Sequence, residues 1–177
     1  MTATKLIQTN RRITTLVLLV SLGVVLHRFE ALIPLPSPWI KLGLANVISL
    51  VALVFLGFLD ALTVTLLRVI LGSIIWGTFL SPTFFLSLSG GITAVFTMAI
   101  VYFDRRGPFS LIGVSICAAY AHTLAIFICV YFFWIQQDYF FQLLPIFFTL
   151  ALVTGFITGV IGNFITNKLT ETKVALI

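Results

Sequence analysis

The sequence predicts an all-α integral membrane protein: one domain over residues 1–177, built as a six-helix transmembrane bundle with both termini on the inner side. Three observations predict it. Hydrophobic residues make up 60% of the chain and charged residues only 8%. A soluble domain carries ~25% charged residues, so this chain has too little charge to cover a water-facing surface. The apolar residues gather in segments near the ~20-residue length that a bilayer core requires, with no strand-like alternation. Helices are then the way to satisfy the backbone in lipid. Finally, Lys5, Arg11, Arg12, Arg105, Arg106, Lys168 and Lys173 all fall on one side if the N-terminus is inside, leaving Lys41 and Arg28 outside. That is the asymmetry the positive-inside rule describes. A net charge of +5 raises nucleic acid as a partner. The scatter of the cations over short loops argues against it.

The elements follow in order, at about residues 13–33, 42–59, 61–80, 83–103, 109–135 and 143–167. Lys5, Arg11 and Arg12 before an apolar stretch resemble the start of a signal peptide, but no small-residue cleavage site follows, so a retained first helix is expected. The connection from Pro34 to Asn46 is the densest run of turn signals in the chain. Its prolines at 34, 36 and 38 favour a stiff, extended path that no helix crosses. Gly57 to Asp60 turns the second helix into the third, and Ser81-Pro82 turns the third into the fourth. Asp104 to Pro108 forms the inner turn before the fifth helix, and Gln136 to Tyr139 begins the last outer loop. Trp39, Trp76, Trp134 and Tyr139 then share the outer level as an aromatic belt. Cys117 and Cys129 lie on one predicted helix, ~18 Å apart along its axis, too far for a disulfide.

Small residues mark expected helix contacts. Gly155 and Gly159 form a GxxxG in the sixth helix, and Ala121 and Ala125 share a face of the fifth. These faces serve either packing within the chain or an interface with a membrane partner. Ionisable groups within the bilayer are costly and therefore informative. His27 and Glu30 share a face of the first helix. Arg28, Trp39, Lys41, Asn46 and His122 fall at the same outer level, and Trp76 joins them at the end of the third helix. Arg68 lies deeper, with Asp60 two turns below it. It is either the floor of an anion pocket or a packing residue capped by carbonyls. Gathering at one side suits a cup open to the outside better than a channel. His27, Arg28, Glu30, Trp39, Lys41, Asn46, Arg68, Trp76 and His122 are therefore the candidate ligand-binding residues. No paired-aspartate diphosphate motif, Walker loop, CxxC or HExxH occurs. No catalytic residue, metal or cofactor is expected.

The runs Lys41-Leu-Gly-Leu-Ala-Asn46, Arg68-Val-Ile-Leu-Gly72, Gly77-Thr-Phe-Leu-Ser-Pro82, Phe85-Leu-Ser-Leu-Ser-Gly-Gly91 and Ala121-His122 resemble the heptaprenyl diphosphate synthase component I family, also called Gx transporters. The resemblance covers about residues 13–167 and departs from the family's pattern after His122, where Thr123 and Ile126 stand. The family's name implies a subunit of prenyl diphosphate synthesis. The size and outer polar cup are similar to the substrate-binding S-components of energy-coupling-factor transporters, whose partners are a transmembrane coupling subunit and ATPases. By that resemblance Lys41, Asn46 and Arg68 are the first candidates for ligand contact or for bracing the pocket. The expected function is capture of a small anionic or amphipathic organic solute at a bacterial plasma membrane. The alternatives are a non-catalytic partner of prenyl diphosphate or quinone synthesis, and a membrane anchor without ligand.

Overall fold

The computed structural model describes residues 3–32, 43–102 and 109–175. They form α1 (Ala3–Leu32), α2 (Leu44–Leu56), α3 (Phe58–Ile75), α4 (Pro82–Tyr102), α5 (Leu111–Val130) and α6 (Leu144–Ala175). A π-helical turn at Tyr131–Ile135 extends α5, and a 3-10 turn at Asp138–Leu143 leads into α6. There is no strand among the described residues. Five stretches are long and apolar enough to cross a membrane, and the shorter apolar helix Leu44–Leu56 completes the set. The chain is a multi-pass helical membrane protein.

The second helix is shorter than the 42–59 expected from hydropathy. Gly57 interrupts it with φ of 93°, a backbone state that side-chain-bearing residues rarely adopt. The chain reverses at this single residue, and its N–H reaches back to the carbonyls of Ala52 and Leu53. The turn expected at 57–60 thus contracts, and Asp60 enters the first turn of α3. At 13 residues α2 measures ~20 Å, less than the hydrocarbon thickness of a bilayer. It compensates by position. It touches α1, α3, α4 and α6, and Val47 through Leu53 are all buried. A helix apolar on all faces belongs inside protein, and α2 is the axis of the bundle.

Around it, α1 packs on α3, α3 on α4, α4 on α5 and α5 on α6. The core includes Ile48, Leu50, Ala52, Val64, Val95, Met98 and Val114. Buried hydroxyl pairs link neighbours: Ser49 to Thr65 at 2.7 Å between α2 and α3, and Ser115 to Thr158 at 2.8 Å between α5 and α6. Pro82 opens α4 at a position where its missing N–H costs nothing. Ser110 caps α5 by accepting from the Gly113 N–H.

The glycine face of α6 is occupied within the chain. A Cβ at Gly155 would stand 2.9 Å from Ile116 Cα, and one at Gly159 would stand 2.8 Å from Ile112 Cα. Of the two uses expected of Gly155 and Gly159, packing within the chain is the one these contacts show. Their missing side chains let the α5 and α6 backbones meet. Ala121 and Ala125 are half-buried on α5.

Candidate functional site

Arg68 is the centre of the site. It lies mid-way along α3 and is 3% exposed. Its alkyl stem runs against α1 at Gly23, where a Cβ would be 3.2 Å from Arg68 Cδ. On the α4 side a Cβ at Gly91 would stand 3.8 Å from Arg68 Nη2. Arg68 Nη2 donates to Asn46 Oδ1 at 2.8 Å, so the first turn of α2 anchors the guanidinium. Arg68 Nε has no hydrogen-bond partner among the described residues. Glu30, buried at the end of α1, lines the same chamber as Arg68. Glu30 also accepts from the Gly43 backbone N–H, tying the end of α1 to the start of α2.

Asp60, two turns below Arg68, is engaged elsewhere. It binds Arg12 through two hydrogen bonds, Nε to Oδ2 at 2.8 Å and Nη2 to Oδ1 at 2.5 Å. This ion pair joins α1 to α3 at the opposite end of the bundle from Glu30. Sequence reading missed it because the partners are 48 residues apart.

His27, Glu30, Asn46, Arg68 and His122 line one chamber, with Gly43, Ala45, Val69 and Ser87 completing its wall. Five of the nine expected residues thus converge from α1, α2, α3 and α5. Arg28 and Trp76 do not join them. Arg28 stands over the Trp76 ring at 4.3 Å from its centroid. The reason is helical geometry: one residue after His27, the helix has turned about 100°. Arg28 and Trp76 thus make a cation–π contact with each other rather than with the chamber. Trp39 and Lys41 lie outside the described residues.

His122 owes its place to α4. A Cβ at Gly90 would lie 2.7 Å from His122 Cε1, so the glycine opens the notch that seats the imidazole. Adjacent glycines therefore serve different neighbours: Gly90 seats His122, and Gly91 faces Thr65 and Arg68. The pair was visible in the sequence, but its clients were not.

Two further chambers meet at His122. One shares Gly43 and Asn46 with the first and is walled by Ser115, Thr154 and Thr158. The other shares Thr123 and Thr154 with the second. It is lined mainly by apolar side chains, among them Ile126, Phe127, Val130, Phe140 and Phe147. Phe127 stacks on Phe140 at 4.0 Å between centroids and meets Phe147 edge-on. The 3-10 turn before α6 is what brings Phe140 inward. These aromatics carried no signal in a chain with 18 phenylalanines. Among the described residues, no group of three His, Cys, Asp or Glu side chains could hold a metal ion.

The arrangement is a polar and ionic pocket inside an apolar bundle, continued by hydroxyl-lined and aromatic space. The fold is that of a transporter S component: the chain is similar to the S component of a bacterial ECF transporter, with a TM-score of 0.66. That likeness covers 95% of this chain and 98% of the other at 21% identity, and it is one of fold. The model of the heptaprenyl diphosphate synthase component I family matches residues 19–165, and the chain belongs to that family. No curated protein sequence matches it.

Proposed function

We propose that this chain is the substrate-binding membrane subunit of a transporter, capturing a small organic solute from the outer side. The observation that carries the reading is Arg68: a buried guanidinium, tethered by Asn46, lining a chamber with His27, Glu30 and His122. A charge buried in a bilayer-spanning bundle is costly unless it serves a partner or a ligand. The S-component fold supports the same reading. With it come the expected partners, a transmembrane coupling subunit and ATPases. All six helices then cross the membrane, N-terminus and C-terminus inside. In that orientation the end of α1 and the start of α2, which meet at Glu30 and Gly43, face outward. The short α2 crosses within a sleeve of protein.

Uptake of radiolabelled vitamins and cofactor precursors, in cells with and without the gene and with coupling subunits present, tests the proposal. The expected result is one solute whose uptake requires the gene and falls in Arg68→Gln. Equal uptake of every solute in both strains refutes it.

A second reading follows from the family's description: a non-catalytic membrane partner of prenyl diphosphate or quinone synthesis. Co-purification with a soluble, aspartate-rich synthase subunit favours that reading, and its absence favours the transporter.

A further inference from the structure

The three chambers that meet at His122 differ in chemistry along one path. Arg68 and Glu30 stand at the first, the hydroxyls of Ser115, Thr154 and Thr158 at the second, and Phe127, Phe140 and Phe147 at the third. The first and second share Asn46, and the second and third share Thr123 and Thr154. A compact polar solute fills only the first chamber and leaves the aromatic one without occupant. A lining of buried Phe127 and Phe140 with half-buried Phe147 favours apolar matter, at a gain proportional to the area removed from water.

The charges select the other end. Arg68 offers Nε–H, buried and without a partner among the described residues. An acceptor on the ligand satisfies it. A full negative charge there would also face the Glu30 carboxylate, which lines the same chamber. A neutral acceptor meets the donor without that repulsion. We propose that the ligand is an elongated amphiphile, its neutral hydrogen-bond-accepting head beside Arg68 and its apolar arm running past His122 into the aromatic chamber. This rests on the substrate-binding reading and deepens it: the aromatic chamber is a second subsite that selects for an apolar arm.

The test is calorimetric titration of the protein in nanodiscs with para-alkylbenzamides from methyl to hexyl, and with the matching benzoates. Empty nanodiscs provide the blank for partition into lipid. The expected result is saturable amide binding, tightening about fourfold per methylene as the arm enters the chamber. Ala151→Phe, which fills the chamber from α6, abolishes that dependence and leaves the methyl member within about twofold. Leu150→Trp does the same from a less buried position if the first variant does not fold. Arg68→Gln weakens every member by about tenfold and leaves the dependence on length intact.

Affinity independent of length overturns the proposal, and is also what a chamber already filled by a lipid chain produces. If such binding is still lost in Arg68→Gln, the substrate-binding reading survives. An equal slope in the filled variants overturns the proposal as partition into lipid. Tighter binding of benzoates, or no saturable binding of any member, overturns it too. Conversely, length-dependent amide binding with no gene-dependent uptake sinks the transporter reading and leaves the amphiphile standing.

Discussion

Asn46→Ala isolates the contact on which the site depends. Arg68 is 3% exposed, and its Nη2 donates to Asn46 Oδ1 at 2.8 Å. Truncating Asn46 leaves a charged donor buried without its acceptor. Removing one partner of a buried hydrogen bond costs ~1–3 kcal/mol, with charged groups at the upper end. The expected loss is about 2–3 kcal/mol, read as a lower unfolding midpoint in detergent without ligand. Arg68→Met should cost less, because an apolar side chain of similar length removes the buried charge rather than orphaning it. Combining Asn46→Ala with Arg68→Met should therefore be milder than Asn46→Ala alone, a coupling that a double-mutant cycle measures directly. Asn46→Asp keeps an acceptor and should retain most of the stability. An Asn46→Ala protein within roughly 0.5 kcal/mol of wild type refutes the reasoning, since that is the ordinary scatter of surface substitutions.

The same geometry yields further expectations. Gly159→Leu drives a side chain into the Ile112 backbone and should cost about 1–3 kcal/mol or prevent folding, measured by the same unfolding midpoint. The Arg12–Asp60 pair is asymmetric, with side chains 60% and 6% exposed, so Arg12→Ala should destabilise more than Asp60→Asn. The first strands a buried carboxylate, whereas the second releases an exposed guanidinium to water; equal losses contradict this. Gly90→Ala pushes on the His122 ring and should lower both stability and ligand affinity. Adding His122→Ala to Gly90→Ala should recover stability, and a purely additive double mutant rules out the notch.

The helices were legible because hydropathy alone locates segments that must leave water. Their ends were less so. Gly57 acts as a one-residue turn only because its φ of 93° lets α2 and α3 reverse on the spot, which composition does not announce. Of the candidate site, His27, Glu30, Asn46, Arg68 and His122 were legible as polar groups out of place in an apolar chain. Arg28 and Trp76 carried the same signal, yet turn towards each other. Which way a polar side chain points depends on helix rotation, and hydropathy does not fix rotation when most faces are apolar. Gly155 and Gly159 illustrate the same limit: the motif predicts a close helix contact, and only the packed bundle shows that α5 supplies it.

Sequence by itself determined the solvent. At 8% charged residues the chain must live in a bilayer, and in a bilayer it must be helical. It also determined which residues were too costly to be incidental. Tertiary structure decided how they are used. It placed a guanidinium from α3 against an amide from α2, in one chamber with a carboxylate from α1, and it seated His122 in the space left by Gly90. It also assembled the aromatic chamber between α5, α6 and the 3-10 turn that joins them. The reason is physical: membership of the membrane is a sum over single residues, whereas a binding site is a set of distances between residues that only packing creates.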